Sequence, residues 1–407
     1  MKKGSTVEKI SLAVAVIIGM NAMVGGGVVT LPALLSSKAG PAGILSCVIA
    51  VITVLFVGLA LGRVASLYPG KGWTYVYPAK WGGHLLGIIS ASAYLLGVFG
   101  GVGFIVQQAG FWAHRIFPFL DPIILSIIIL AIIAILVMAG TEASSIAQYV
   151  IAACVVIPLV STSIVCLFKL KPSFLTDINL FMPEGLGSIF AAAPAIIFCL
   201  LGFESIMSLY GVVRDPKKNV PRACVLSIIC VGLLYVLFSS GILLSIPREH
   251  FSGGVQHTLS YVLLQEFPNL KFLSTFILIG AMFGIIGTLH SMVWSVSALF
   301  TDVLKKAKSK VVINMLEKKI WTNKVSVVVT SFSLLTMALF LHGETLVYLT
   351  VLFMIIPNIL SIMLLLFRKE DWKSGKNIKT VLALAGCLIV VYFSAEHIIG
   401  SIMKFFS

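Results

Sequence analysis

The sequence predicts an all-α integral membrane protein of about eleven transmembrane helices, and three observations predict it. Hydrophobic residues make up 59% of the 407 and charged residues only 11%, where a soluble domain carries about 25% charged. The mean hydropathy is +1.08, so most of the chain belongs in lipid or in protein at membrane depth. The apolar runs are continuous over the roughly 20 residues that a helix needs to cross the hydrocarbon. They do not alternate in the ~10-residue pieces of a membrane β-barrel.

Taken in order, the runs place spans near 10–36, 42–66, 85–112, 122–140, 146–168, 188–211, 223–246, 272–302, 325–342, 345–367 and 380–402. The first runs too long, to about Leu35, and is followed by too many spans to be a cleaved signal peptide. It contains Gly25-Gly26-Gly27 followed by Pro32. Each glycine costs about 1 kcal/mol in a helix relative to alanine. Lipid cannot satisfy the freed backbone groups, so a break here has to line a cavity or be buried in protein. Span three carries Gly97, Gly100, Gly101 and Gly103. With no strand before them they read as small-residue helix packing rather than a nucleotide loop. Glu142, near the start of span five, reads as a helix N-terminal charge.

Span six pairs Gly202 with Glu204 in mid-run. A carboxylate at that depth is expensive and is either functional or a hydrogen-bonding partner of a neighbouring broken helix. His290, in span eight, reads as a packing histidine or a titrating one. Leu259 to Phe267 forms an amphipathic stretch suited to a short surface helix, and 305–324 reads as a solvated helix. A very short turn, Leu341 to Glu344, separates spans nine and ten, and the tail has room for one helix.

Lys and Arg divide between the two sides of this arrangement. With the N-terminus in the cytoplasm, 22 of the 29 fall on the cytoplasmic side. That bias supports both the orientation and the helix count in a cytoplasmic membrane. It also accounts for the formal charge of +14 through lipid headgroups rather than nucleic acid. The seven cysteines lie within apolar runs without a CxxC pair and imply neither a disulfide framework nor a metal.

Spans one and six head two sets of five. An odd number of helices per half gives the halves opposite topology, and broken helices at matching positions of inverted halves mark a central binding site. The chain therefore divides into a ten-helix core over 1–370, with repeat one about 10–168 and repeat two about 188–367, and a further helix in 371–407. Bare N–H groups at the first break suit a carboxylate, and bare carbonyls at the second suit an ammonium. A zwitterion satisfies both, which points to an α-amino acid.

Three segments resemble the amino acid–polyamine–organocation superfamily. They are Gly25-Gly26-Gly27-Val28 with Pro32; Leu67-Tyr68-Pro69-Gly70-Lys71-Gly72-Trp73-Thr74-Tyr75-Val76-Tyr77; and Gly202-Phe203-Glu204-Ser205 with Asp215-Pro216-Lys217-Lys218-Asn219-Val220-Pro221-Arg222-Ala223. Gly140 with Gln148 is a weaker match. The nearest branches are the basic amino acid/polyamine antiporters and the shorter neutral amino acid exporters. The resemblance implies a 5+5 inverted-repeat core, alternating access, and secondary transport of an amino acid by exchange or proton coupling, with no cofactor.

By position, it implies that Gly26 and Gly27 meet the substrate carboxylate beside Gly25. Carbonyls of Met23, Phe198 and Leu201 meet the ammonium beside Gly202, Phe198 is a gating aromatic, and Tyr94 faces the cavity. Glu204 occupies the acid tied to proton sensing or to structure. Leu289 and Val98 stand where the arginine/agmatine antiporter has a tryptophan and an asparagine. Leucine offers no cation–π contact, so a neutral side chain is favoured over a guanidinium or polyamine. A cationic amino acid or polyamine antiporter is the alternative within transport. A non-transporting receptor or assembly subunit is the alternative class, and the sequence shows no nucleophile–base pair, metal cluster or Walker motif for an enzyme. A dimer interface that depends on the last two of the family's usual twelve helices is not expected.

Overall fold

The computed structural model describes residues 9–25, 27–251, 259–306, 314–315, 317, 321–340, 345–368, 378–389 and 391–392. Among these residues the chain is helical, with no strand beyond one isolated bridge between Ile10 and Val213. In order, the helices are α1 (Leu12–Met23), α2 (Gly27–Ala39), α3 (Gly43–Leu67), α4 (Trp73–His114), α5 (Pro122–Met138), α6 (Thr141–Leu167), α7 (Ser173–Thr176) and α8 (Ile178–Phe181). There follow α9 (Leu186–Cys199), α10 (Ser205–Ser208), α11 (Pro216–Ser245), α12 (Leu259–Glu266), α13 (Lys271–Leu304), α14 (Asn323–Phe340) and α15 (Thr345–Met363).

Six helical stretches are long and apolar enough to cross a bilayer, and five shorter apolar helices accompany them among the described residues. The outward faces show why these are membrane helices. On α5, Ile124, Ile128, Ile132 and Ile135 are exposed in one row while Leu130, Ile133 and Val137 are buried on the other side. A helix apolar on its outer face as well as its inner one is solvated by lipid. α1 and α2 have 12 and 13 residues, about 18–20 Å each at 1.5 Å per residue. Neither spans alone, and the pair crosses as one interrupted element.

Ser11 caps α1 by accepting from the Val14 amide, and Asp121 caps α5 by accepting from the Ile123 amide with Pro122 at the first helical position. The span-three glycines pack as their small size predicts. A β-carbon on Gly97 would sit 2.9 Å from Met354 Cγ, and one on Gly103 would sit 3.2 Å from the Leu334 carbonyl oxygen. The stretch from Leu259 is a short helix with Val262 and Leu263 buried and Tyr261 exposed, as the amphipathic pattern predicts.

One reading needs correction. The segment 67–84 reads in the sequence as a polar interruption before span three. In the structure its second half is helical, and α4 runs from Trp73 with a break at Gly83, where φ is +74°. Trp73, Tyr77 and Trp81 recur at i, i+4 and i+8, so they form one face. Trp73 and Tyr77 are fully buried, and Trp81 Nε1 donates to the Leu360 carbonyl at 2.9 Å. Packing of that aromatic face holds a helix that its flanking glycines hide. The 341–344 turn, most of 307–320, and residues 390 and 393–402 of the predicted span 380–402 lie outside the described residues.

Where α11 crosses α6 the backbones touch. A β-carbon on Gly241 would stand 2.8 Å from the Ser163 carbonyl oxygen. Gly241→Leu is therefore expected to force the helices apart, at a cost of about 1–3 kcal/mol. Thermal unfolding in detergent checks this by a lowered midpoint. Gly187→Ala, at a position with open space around it, should leave the midpoint unchanged or raise it.

Candidate functional site

Both interruptions that the glycines predict are present. α1 stops at Met23, and Val24 leaves helical geometry with φ −85° and ψ 76°. α2 starts at Gly27, so its first amides have no intrahelical acceptor. Gly26 lies outside the described residues. In span six, α9 stops at Cys199 and α10 starts at Ser205, with Gly202 between them at φ +117°. That angle lies in the region that side chains disfavour, so the break needs glycine there.

The breaks pack on each other reciprocally. A β-carbon on Gly202 would meet the Ala22 carbonyl oxygen at 2.7 Å, and one on Gly27 would meet Cys199 Sγ at 3.2 Å. The end of α1 thus lies against the gap after α9, and the start of α2 lies against the end of α9. Tyr235, on α11, joins them. Its hydroxyl is 3.1 Å from the Met23 carbonyl and 3.1 Å from the Cys199 carbonyl, so a single proton is shared between two acceptors, one from each broken helix.

Of the three predicted ammonium acceptors, Met23 is already occupied in this conformation. Its carbonyl accepts from the Gly25 amide as well as facing the Tyr235 hydroxyl. The Phe198 carbonyl accepts from the Leu201 amide at 3.1 Å. The Phe198 side chain is half-buried and Leu201 is buried. Leu289 is fully buried on α13, one residue from Thr288, whose hydroxyl donates to the Asn21 carbonyl at 3.0 Å and lies beside Gly25.

Glu204 is fully buried, and its Oε2 accepts from the Gly202 amide at 3.0 Å, while Oε1 has no partner among the described residues. The carboxylate bonds its own broken helix rather than a neighbouring one, which corrects the structural role read from the sequence. Tyr94 is buried and stacks edge-on against Trp73 at 5.2 Å; its hydroxyl has no partner among the described residues. Trp73 Nε1 in turn donates to Ser208 Oγ at 3.2 Å, tying the α4 aromatic face to α10.

A second polar cluster braces the first break. Asn21 Nδ2 donates to both the backbone and side-chain oxygens of Gln148, and Gln148 Nε2 lies 2.7 Å from His290 Nδ1 and 2.9 Å from Ser291 Oγ. Buried amides at membrane depth need such partners. His290 accepts at Nδ1 here, and its buried Nε2 has no partner among the described residues.

A profile of the amino acid permease family matches residues 10–402. The chain belongs to that family. This agrees with the superfamily resemblance carried by the glycine break and the Gly202–Glu204 segment. Family members are permeases rather than enzymes, and the chain is accordingly a multi-pass membrane protein. Its curated relatives include an aspartate–proton symporter of Bacillus subtilis, 26% identical over 62% of this chain and 51% of the relative. A branched-chain amino acid permease of the same organism is 25% identical over 66% of this chain and 61% of the relative. A cationic amino acid transporter of Arabidopsis thaliana is 22% identical over 65% of this chain and 48% of the relative. The chain thus spans about half to three fifths of the length of the curated relatives it matches.

Sequence reasoning missed Tyr235, Cys199, Asn21 and Thr288. Asn21 and Tyr235 carried a signal, since each is a hydrogen-bonding side chain inside an apolar run. Tyr235→Phe removes the shared hydroxyl. A hydrogen bond between membrane helices is worth about 0.6 kcal/mol on average and up to about 1.7, so the variant should fold with a slightly lowered melting midpoint in detergent. Gly202→Ala should cost more, about 1–3 kcal/mol for the disfavoured φ, with a correspondingly larger fall in the same measurement.

Proposed function

We propose that the chain is a secondary transporter that carries a neutral α-amino acid across the cytoplasmic membrane by alternating access. The carrying observation is the pair of backbone breaks in spans one and six, which face each other at membrane depth. Gly27 presents helix N-terminal amides suited to a carboxylate, and the end of α9 presents carbonyls suited to an ammonium. In this conformation the two halves are closed on each other. Binding a zwitterion requires the Tyr235 hydroxyl to give up the Met23 carbonyl, and return of the hydroxyl accompanies release.

The side-chain surroundings support a neutral substrate. Val98 and Leu289 are both fully buried and apolar, so neither offers a guanidinium a ring face or an amide. The branched-chain permease among the relatives is consistent with that class. The named cationic transporter keeps a cationic substrate as the alternative, and competition by arginine or agmatine separates the two. Five helices per half, in opposite topology about the two breaks, supply the rocking elements. The Lys and Arg bias supports a cytoplasmic N-terminus.

Counterflow in proteoliposomes tests the reading. Purified protein loaded with internal leucine, valine or methionine should take up the labelled amino acid saturably, and empty liposomes should not. Absence of saturable flux for all twenty amino acids would remove the proposal. Glu204 Oε1 is the site proposed for a coupled proton. An inward proton gradient should stimulate uptake by the native protein, and Glu204→Gln should abolish the stimulation while retaining counterflow. Equal stimulation in both would confine Glu204 to capping the break.

A further inference from the structure

We propose that the chain carries a specific anionic-phospholipid site between its first, second and seventh spans, separate from the broken-helix site. A cavity of about 650 Å³ opens there, lined by α1, α3 and α11. Its polar lining consists mainly of Arg63, Ser66 and Arg222, and its apolar wall includes Leu12, Leu59 and Leu226.

The residues are ordered by depth. α3 runs toward the side that the Lys and Arg count assigns to the cytoplasm, and α11 starts from that side. Leu59 lies four residues before Arg63 on α3, and Leu226 four residues after Arg222 on α11. On both helices the leucine is therefore on the same face as the arginine and about 6 Å deeper in the bilayer. Two guanidinium groups stand at the headgroup level and two leucines at the start of the hydrocarbon. A phospholipid has that same arrangement, with a phosphate above an acyl chain.

The cavity has a structural floor. Gly62 lets α3 approach Pro221 so closely that a β-carbon on it would meet the Pro221 Cα, Cβ and carbonyl oxygen at 3.4 Å. The helices close there. Leu226 is 41% exposed, so the cleft is open toward lipid. Arg222 and Lys218, one turn apart on α11, are both exposed. The acid nearest to Arg222 in sequence, Asp215, lies seven residues earlier, about two turns away.

The charge selects the lipid. Guanidinium binds phosphate oxygens in a fork, and its five N–H donors let Arg63 reach a phosphate while keeping a contact inside the protein. A zwitterionic headgroup brings its own ammonium to the same rim and repels. Basic clefts between membrane helices on the cytoplasmic side suit anionic headgroups. The occupant is therefore a phosphatidylglycerol-type lipid rather than phosphatidylcholine or free phosphate. The proposal rests on the cavity and its charges and is independent of the transport reading.

Thermal unfolding of the full chain in detergent, with added phosphatidylglycerol, phosphatidylcholine or inorganic phosphate, tests it. Phosphatidylglycerol should raise the midpoint by several degrees more than phosphatidylcholine. Arg63→Gln/Arg222→Gln should lose that increment, and Lys379→Gln, elsewhere on the same side, should keep it. Three results would each overturn the site: an equal shift from both lipids, a phosphate shift matching phosphatidylglycerol, or loss of the increment in Lys379→Gln. Should the double variant fail to fold, native mass spectrometry of the unmodified protein decides. Preferential retention of phosphatidylglycerol over phosphatidylcholine supports the site, and equal retention overturns it.

Discussion

A peptide group at membrane depth has no water to bond, so the breaks near residues 24–27 and 200–204 can exist only where protein replaces the solvent. The structure supplies three replacements. The breaks pack against each other, with Gly202 on the Ala22 carbonyl and Gly27 on Cys199. Glu204 takes up the Gly202 amide, and the Tyr235 hydroxyl serves the Met23 and Cys199 carbonyls. Each device leaves something unfinished. The tyrosine has one proton for two acceptors, and one carboxylate oxygen has no partner among the described residues. Both unfinished groups are acceptors, so a donor such as an ammonium would complete them; in the proposed zwitterion the carboxylate would instead turn to the amides at the start of α2.

Strength matters as much as placement. A latch made of one shared hydroxyl is worth about a kilocalorie per mole, small enough to be exchanged for a substrate contact and restored afterwards. The cluster of Asn21, Gln148, His290 and Ser291 differs in kind. It joins the end of α1 to α6 and α13 through several bonds at once. It holds one side of the first break to a fixed scaffold while the other side faces the weaker latch. The break therefore sits between a firm support and an exchangeable one, as a hinge does.

The lipid-facing cleft belongs to the same economy of backbone contact. Gly62 on Pro221 brings α3 and α11 together, and Leu12 of α1 borders the opening. α1 begins at Leu12, at the border of this opening. The exposed arginine there and its neighbour across the groove serve topology through their charge. Their depth relative to Leu59 and Leu226 gives them a further, more local chemistry.

The sequence by itself determined the class, the order of the spans, the two breaks and the acid beside the second. These are local properties. Run length sets whether a helix crosses, and glycine content sets where it fails. Only the tertiary structure decided which groups complete the breaks. Tyr235 meets carbonyls 36 and 212 residues away, and no periodicity links such positions. The helix at 73–82 was hidden for a related reason, since its stability comes from burying Trp73 and Tyr77 against other spans rather than from its own residues. Glu204 was legible as a buried acid, but its choice of its own Gly202 amide depended on the angle at which the chain leaves α9. Local composition fixes where backbone groups are released, and the fold determines what receives them.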